Sequence, residues 1–89
     1  MKPTALFMDK ITNLIASGDY AGAIDFVRGS MYLYPNTTKT NARADILLRA
    51  ASSGVWLLET LQTPEQQNAC RVMIESLIQE ARRILINNQ

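Results

Sequence analysis

Apolar side chains recur at three- and four-residue intervals in four blocks of this chain, and the breaks between the blocks fall where helix-stopping residues cluster. Phe7, Met8, Ile11, Leu14 and Ile15 share one face of a first helix running from about Thr4, its cap, to Ser17. Gly18 supplies a residue that turns left-handed without a Cβ clash, and Asp19 offers a carboxylate to the open amides that follow. The second helix is expected over Tyr20 to Tyr34. Its stripe of Ala23, Ile24, Val27, Met31 and Tyr34 is joined by a second line, Phe26, Ser30 and Leu33, which places it between the first helix and a later element. Pro35 has no amide with which to continue and restricts the residue before it.

A third helix is expected from Thr40 or Asn41 to about Leu61, with Leu47, Ala50, Ala51, Gly54, Leu58 and Leu61 as its stripe and Val55 alongside. Ala50, Ala51 and Gly54 make a smooth strip on which another helix can approach closely. Gly54 alone costs about 1 kcal/mol of helix propensity against Ala, so close packing must compensate. Thr63-Pro64-Glu65-Gln66 combines a capping threonine, a proline at the first helical position and a glutamine at capping-box spacing. It opens a fourth helix that runs to about Ile86, with Cys70, Met73, Ile74, Leu77, Ile78, Ala81, Ile84 and Leu85 as its apolar face. Arg71 with Glu75, and Glu80 with Arg83, are spaced for ion pairs on solvated faces. The expected fold is all-α: a four-helix array of two antiparallel helical hairpins in a single domain over residues 1–89, either tetratricopeptide-like or a bundle.

The first hairpin carries a resemblance. Gly18, Asp19 and Tyr20 at the turn, Ala23, Val27 and Ser30 along the second helix, and the closing Pro35 occupy the slots of a single tetratricopeptide-type repeat over about residues 5–36. The resemblance implies that small Ala23 and Ser30 allow close helix approach and that Tyr20 packs into the gap at the turn. The first helix departs from the family pattern, with Lys10 and Ile11 in its leucine and small-residue slots.

Composition narrows the function classes. A chain of 89 residues buries only about 60–65% of its unfolded surface. With 47% hydrophobic and 19% charged residues, thin helical layers leave apolar side chains to be covered by something else. Nine basic and eight acidic residues, interspersed, give a net charge of +1 and no basic stripe of the sort that displaces counterions from nucleic acid. There is no histidine, which removes the commonest general base and metal ligand, and no glycine-rich phosphate loop. The single cysteine, Cys70, lies on an apolar stripe and is read as a small core residue; it forms no internal disulfide. No catalytic, cofactor or metal site is expected. No N-terminal signal pattern and no apolar run of about 20 residues is visible, so a cytoplasmic location and no membrane partner are expected.

The resulting expectation is a non-enzymatic protein–protein interaction module of adaptor, chaperone or inhibitor type. Its partner would be another protein, a second copy of itself, or both, bound through apolar helix faces. Tyr20, Tyr32 and Tyr34 around the hairpin, and Trp56 with Leu57, are the candidate contact residues. The alternative is a nucleic-acid-binding helical regulatory protein that probes with its third helix and holds phosphates with Lys39, Arg43 and Arg49. Against it, Arg43 and Arg49 are not spaced to share a helical face.

Overall fold

Gly18 is the chain's sharpest turn, and its φ of 81° is one that an L side chain rarely adopts. The Gly18 amide donates to the Ile15 carbonyl at 3.0 Å and the Asp19 amide to the Leu14 carbonyl at 2.9 Å. This paired pattern satisfies the carbonyls left open at a helix end. Asp19 then caps the next helix, its carboxylate accepting from the Gly22 amide at 2.9 Å. Two residues thus close α1 (Pro3–Ala16) and start α2 (Tyr20–Ser30). The computed structural model describes the backbone of residues 3–31 and 37–87 and the side chains of residues 9–31 and 37–87. Among these residues all regular structure is helical, completed by α3 (Thr38–Thr60) and α4 (Pro64–Asn87).

The helix ends depart from expectation in instructive ways. The last helical residue of α2 is Ser30 rather than Tyr34. Gly29 and Ser30 are poor helix formers, and the buried Ser30 hydroxyl turns back to the Val27 carbonyl at 2.6 Å. The expected helical residues 32–34 and the stop at Pro35 lie outside the described residues. Helix α3 begins earlier than expected because Thr37 is the cap, its hydroxyl accepting from the Thr40 amide at 3.1 Å. At the second hairpin Thr63 caps as expected, accepting from the Gln66 amide at 3.2 Å. Gln67, next along, reaches back with its side-chain amide to the Leu61 carbonyl at 3.1 Å and ties the loop to α4.

The most extensive contact is between α3 and α4. Gly54 sits within it, where a Cβ would fall 2.8 Å from Ile74 Cγ1 and 2.9 Å from Met73 Cε. The Cys70 thiol donates to the Gly54 carbonyl at 3.2 Å across the same contact. Close approach is therefore what offsets the weak helix propensity around Gly54. The buried line of α3, however, is Thr40, Ala44, Leu48, Ala51 and Gly54. Ala50, expected in the stripe, is exposed, and Leu47 is half-buried. Helix α3 meets α4 on one side and α2 on another, which turns its buried face toward Ala44 and Leu48.

Helix α2 touches α1, α3 and α4, as two apolar lines require. It buries Tyr20, Ala23, Ile24, Val27 and Ser30. Ile11 of α1 is fully buried beside them, so the bulky residue in the departing slot of the repeat pattern is a core residue. Ile11, Val27, Leu48, Ile74, Ile78 and Leu85 are the largest fully buried apolar side chains. The Cα radius of gyration is 13.2 Å, against about 12 Å for a compact chain of this length. The shortest principal extent, 16 Å, accommodates two layers of helix axes about 9 Å apart. One layer is the α3–α4 hairpin, and only one of its broad faces is covered by α2.

Candidate interaction surface

Trp56 and Leu57 are adjacent in sequence but turned about 100° apart on α3. Trp56 is 76% exposed and lines a shallow groove between α2 and α3 with Ala21, Ile24, Asp25, Ser52 and Val55. Leu57, 49% exposed, faces the other way, into a groove between α3 and α4 with Leu61, Gln66, Ala69, Cys70 and Met73. These two candidate contacts therefore belong to different surfaces. Tyr20 is 8% exposed and packs in the core cluster at the first hairpin turn. Its hydroxyl donates to Glu75 of α4 at 3.2 Å. Burial, reinforced by the Glu75 carboxylate, holds the Tyr20 phenol above its ordinary value. Its role in the fold is to anchor α2 to α4. Tyr32 and Tyr34 lie outside the described residues.

The groove at Leu57 is not the only one on this hairpin. Toward the other end, Ile46, Leu47 and Ile84 line a second depression between α3 and α4 with Arg43 and Glu80. Leu47 and Leu57 fall on one side of α3 at helical spacing, with Leu61 just past its end, and Met73, Glu80 and Ile84 on one side of α4. Both depressions lie on the face turned away from α2, forming a seam whose exposed large side chains include Ile46 at 65%, Leu57 at 49% and Met73 at 41%. Met73, expected in the core stripe of the fourth helix, is thus at the open edge of that stripe. Sequence reasoning passed over Ile46, Leu61, Ala69 and Met73 as contact residues. The available signal was the breadth of the α4 apolar face, which from Met73 through Ile74 to Ile78 is wider than one neighbouring helix covers.

Arg43 and Glu80 are the two charged residues that line this seam. Glu80 accepts a bidentate hydrogen bond from Arg83, one arm of it from Nε at 2.9 Å. Arg83, with a smaller contribution from Arg43, holds the Glu80 carboxyl below the usual carboxylate value. The expected Arg71–Glu75 pair gives way to other partners: Arg71 donates to Asn68 at 3.0 Å, and Glu75 accepts from Tyr20.

Of the residues of the nucleic-acid alternative, Arg49 meets a carboxylate on the protein itself. Arg49 lies 2.8 Å from Asp45, which Arg28 of α2 also approaches at 3.4 Å. Arg43 shares its groove with Glu80. Cys70 is buried. Among the described residues, no group of three or more carboxylate or cysteine side chains is placed to hold a metal ion, and no helix is long and apolar enough to cross a membrane. Protein-family models, curated proteins and solved structures contain no match to this chain.

Proposed function

We propose that this chain is a small protein–protein interaction module, an adaptor, chaperone or inhibitor in type, that binds a protein partner through apolar helix faces. The observation that carries the reading is the α3–α4 seam. Ile46, Leu57 and Met73 are exposed along it, with Leu47, Leu61 and Ile84 beside them, and nothing in the chain's own described fold covers them. Large apolar side chains exposed together on one face are a mark of association surfaces. Trp56, on a different surface of α3, adds an exposed aromatic of the residue type most enriched at binding hot spots. The self-paired Arg28, Asp45 and Arg49 count against a phosphate-binding role for α3. The tetratricopeptide likeness of residues 5–36 belongs to the same proposal. In its support, α2 buries Tyr20, Ala23, Val27 and Ser30, the positions that carry the likeness.

The test is affinity capture from the source cells with the native chain, Leu57→Glu and Trp56→Ala run side by side. A protein retained by the native chain and lost on one of the substitutions, with helicity unchanged, supports the proposal. Equal capture by all three chains, or retention of nucleic acid that falls steeply with salt, contradicts it.

A further inference from the structure

We infer that the groove between α2 and α3 beside Trp56 takes an extended, arginine-bearing segment of a partner protein, with one guanidinium laid on the indole and its fork turned to Asp25. The inference rests on the interaction-module reading but uses a different surface from the α3–α4 seam.

Two helix faces running in opposite directions build this groove. On α2, Ala21, Ile24 and Asp25 follow one another at helical spacing, and on α3 Ser52, Val55 and Trp56 do the same. Ala21 and Val55 also line the adjoining depression, which reaches to Asp19 and Glu59. The two depressions therefore share walls and form one path, with buried Ile24 beneath it. From Ser52 to Glu59 that path is roughly 10 Å long at 1.5 Å per residue, the span of about three residues of extended chain.

Charge decides what lies in it. Three carboxylates, Asp19, Asp25 and Glu59, line the path against one cation, Arg71, and all three acidic residues are exposed. Asp19 caps α2 through one oxygen, and Arg71 donates to Asn68. Glu59 has no ion pair or side-chain hydrogen bond among the described residues. Asp25 lines the groove with Trp56, and Arg28 stands 4.0 Å from it, at the outer limit of an ion pair and closer to Asp45 at 3.4 Å. Arg49, further along α3, is also held by Asp45, at 2.8 Å.

The surplus charge is therefore negative, and it adjoins an indole that is 76% exposed. The face of an indole attracts a cation more strongly than that of any other side-chain ring. A carboxylate entering the groove would meet three like charges, and a purely apolar segment would leave the acids unanswered. Between the two cationic side chains, arginine fits better. Its planar guanidinium stacks on an aromatic face and still offers paired N–H groups to a carboxylate, whereas the lysine ammonium is a strongly hydrated point charge. A second cation three positions along an extended segment lies about 10 Å away, within reach of Glu59.

Trp56 is the chain's one tryptophan, so its emission reports occupancy directly. The experiment titrates the full native chain with an acetylated, amidated glycine-serine peptide carrying two arginines three positions apart, with helicity followed in parallel. A saturable change in emission is expected, at a dissociation constant of about 1 mM. The lysine version should bind more weakly and the glutamate version not at all. Asp25→Asn and Glu59→Gln should each weaken the arginine peptide about threefold, the scale of an exposed ion pair. Glu65→Gln, an acid that does not line the groove, and Leu57→Ser, on the seam, should leave it unchanged. Trp56→Leu, followed by calorimetry, should abolish the preference for arginine over lysine. No saturable response up to about ten times that constant overturns the inference. So does equal weakening by Glu65→Gln and Asp25→Asn, or a glutamate peptide bound as tightly. An emission change on concentrating the chain alone, lost in Asp25→Asn, would give the groove to a second copy and equally overturn it. A native chain that ignores the peptide yet loses a captured host protein on Leu57→Glu would remove only the arginine segment and leave the interaction-module reading in place.

Discussion

On the side of the α3–α4 hairpin that meets α2, polar groups are matched across the contact: the Tyr20 hydroxyl on Glu75, and Arg28 on Asp45. On the opposite side the exposed large residues include Ile46, Leu57 and Met73, and the charges lining the two depressions, Arg43 and Glu80 with Arg83 paired to it, gather at one end. The inner face has its partner within the chain, and its hydrogen bonds fix the placement of α2. The outer face has the apolar character of an interior and lacks the neighbour that would make it one. Burial on the first face should therefore govern folding, and exposure on the second should govern association. The two properties should come apart under mutation.

The largest separation is expected between Ile74→Ala and Leu57→Ser. Ile74 is fully buried, and its truncation should cost about 2–5 kcal/mol of unfolding free energy. Leu57→Ser should stay within about 0.5 kcal/mol. Urea unfolding at low protein concentration checks both, and equal losses would erase the distinction between the faces. Gly54→Ala probes the contact between the helices themselves. Its Cβ would press on Ile74 and Met73, so a net loss of about 1–2 kcal/mol is expected after the gain in helix propensity. A stabilised variant would show that α3 and α4 are less closely packed than described.

Tyr20→Phe tests the polar pairing on the inner face and should cost about 1–2 kcal/mol at neutral pH. It also carries a pH signature. The folded phenol titrates above its unfolded value, so the folded state holds the proton more tightly. The stability from the neutral phenol is complete below the unfolded value of about 10 and is lost as pH rises from there through the folded value. Unfolding followed from pH 8 to 11 should reveal a decline at the alkaline end that is shallower in Tyr20→Phe; parallel profiles would place that titration elsewhere. The smallest effect is at Gly29, which is exposed and helical with open space about its Cα. Gly29→Ala should raise the melting temperature, with a gain of about 0.5–1 kcal/mol. A loss there would mean that α2 is under a constraint at its end.

The helix ends were legible because their signals are local. Gly18-Asp19 and Thr63-Pro64 each act on amides and carbonyls within four residues, and the structure uses them so. The phase of α3 was harder. Leu47-Leu48 and Ala50-Ala51 are two adjacent apolar pairs, so stripes about 100° apart fit the pattern equally well. Ala51 was in the expected stripe, but Leu48 was not, and it is the neighbouring helices that decide for Leu48 over Leu47. The fate of Tyr20 was out of reach for a related reason, because its partner Glu75 lies 55 residues away. The open seam was half visible. Met73 read as a core residue because an apolar stripe does not announce which of its edges will lack a neighbour.

The most direct test of the two-faced account is the paramagnetic relaxation that a soluble, inert spin label induces in the methyl NMR signals of the dilute native chain. The account predicts strong broadening at Ile46, Leu57 and Met73 and little at Val27, Ile74, Ile78 and Leu85. Broadening of Leu57 and Met73 no greater than that of Ile74 would contradict it.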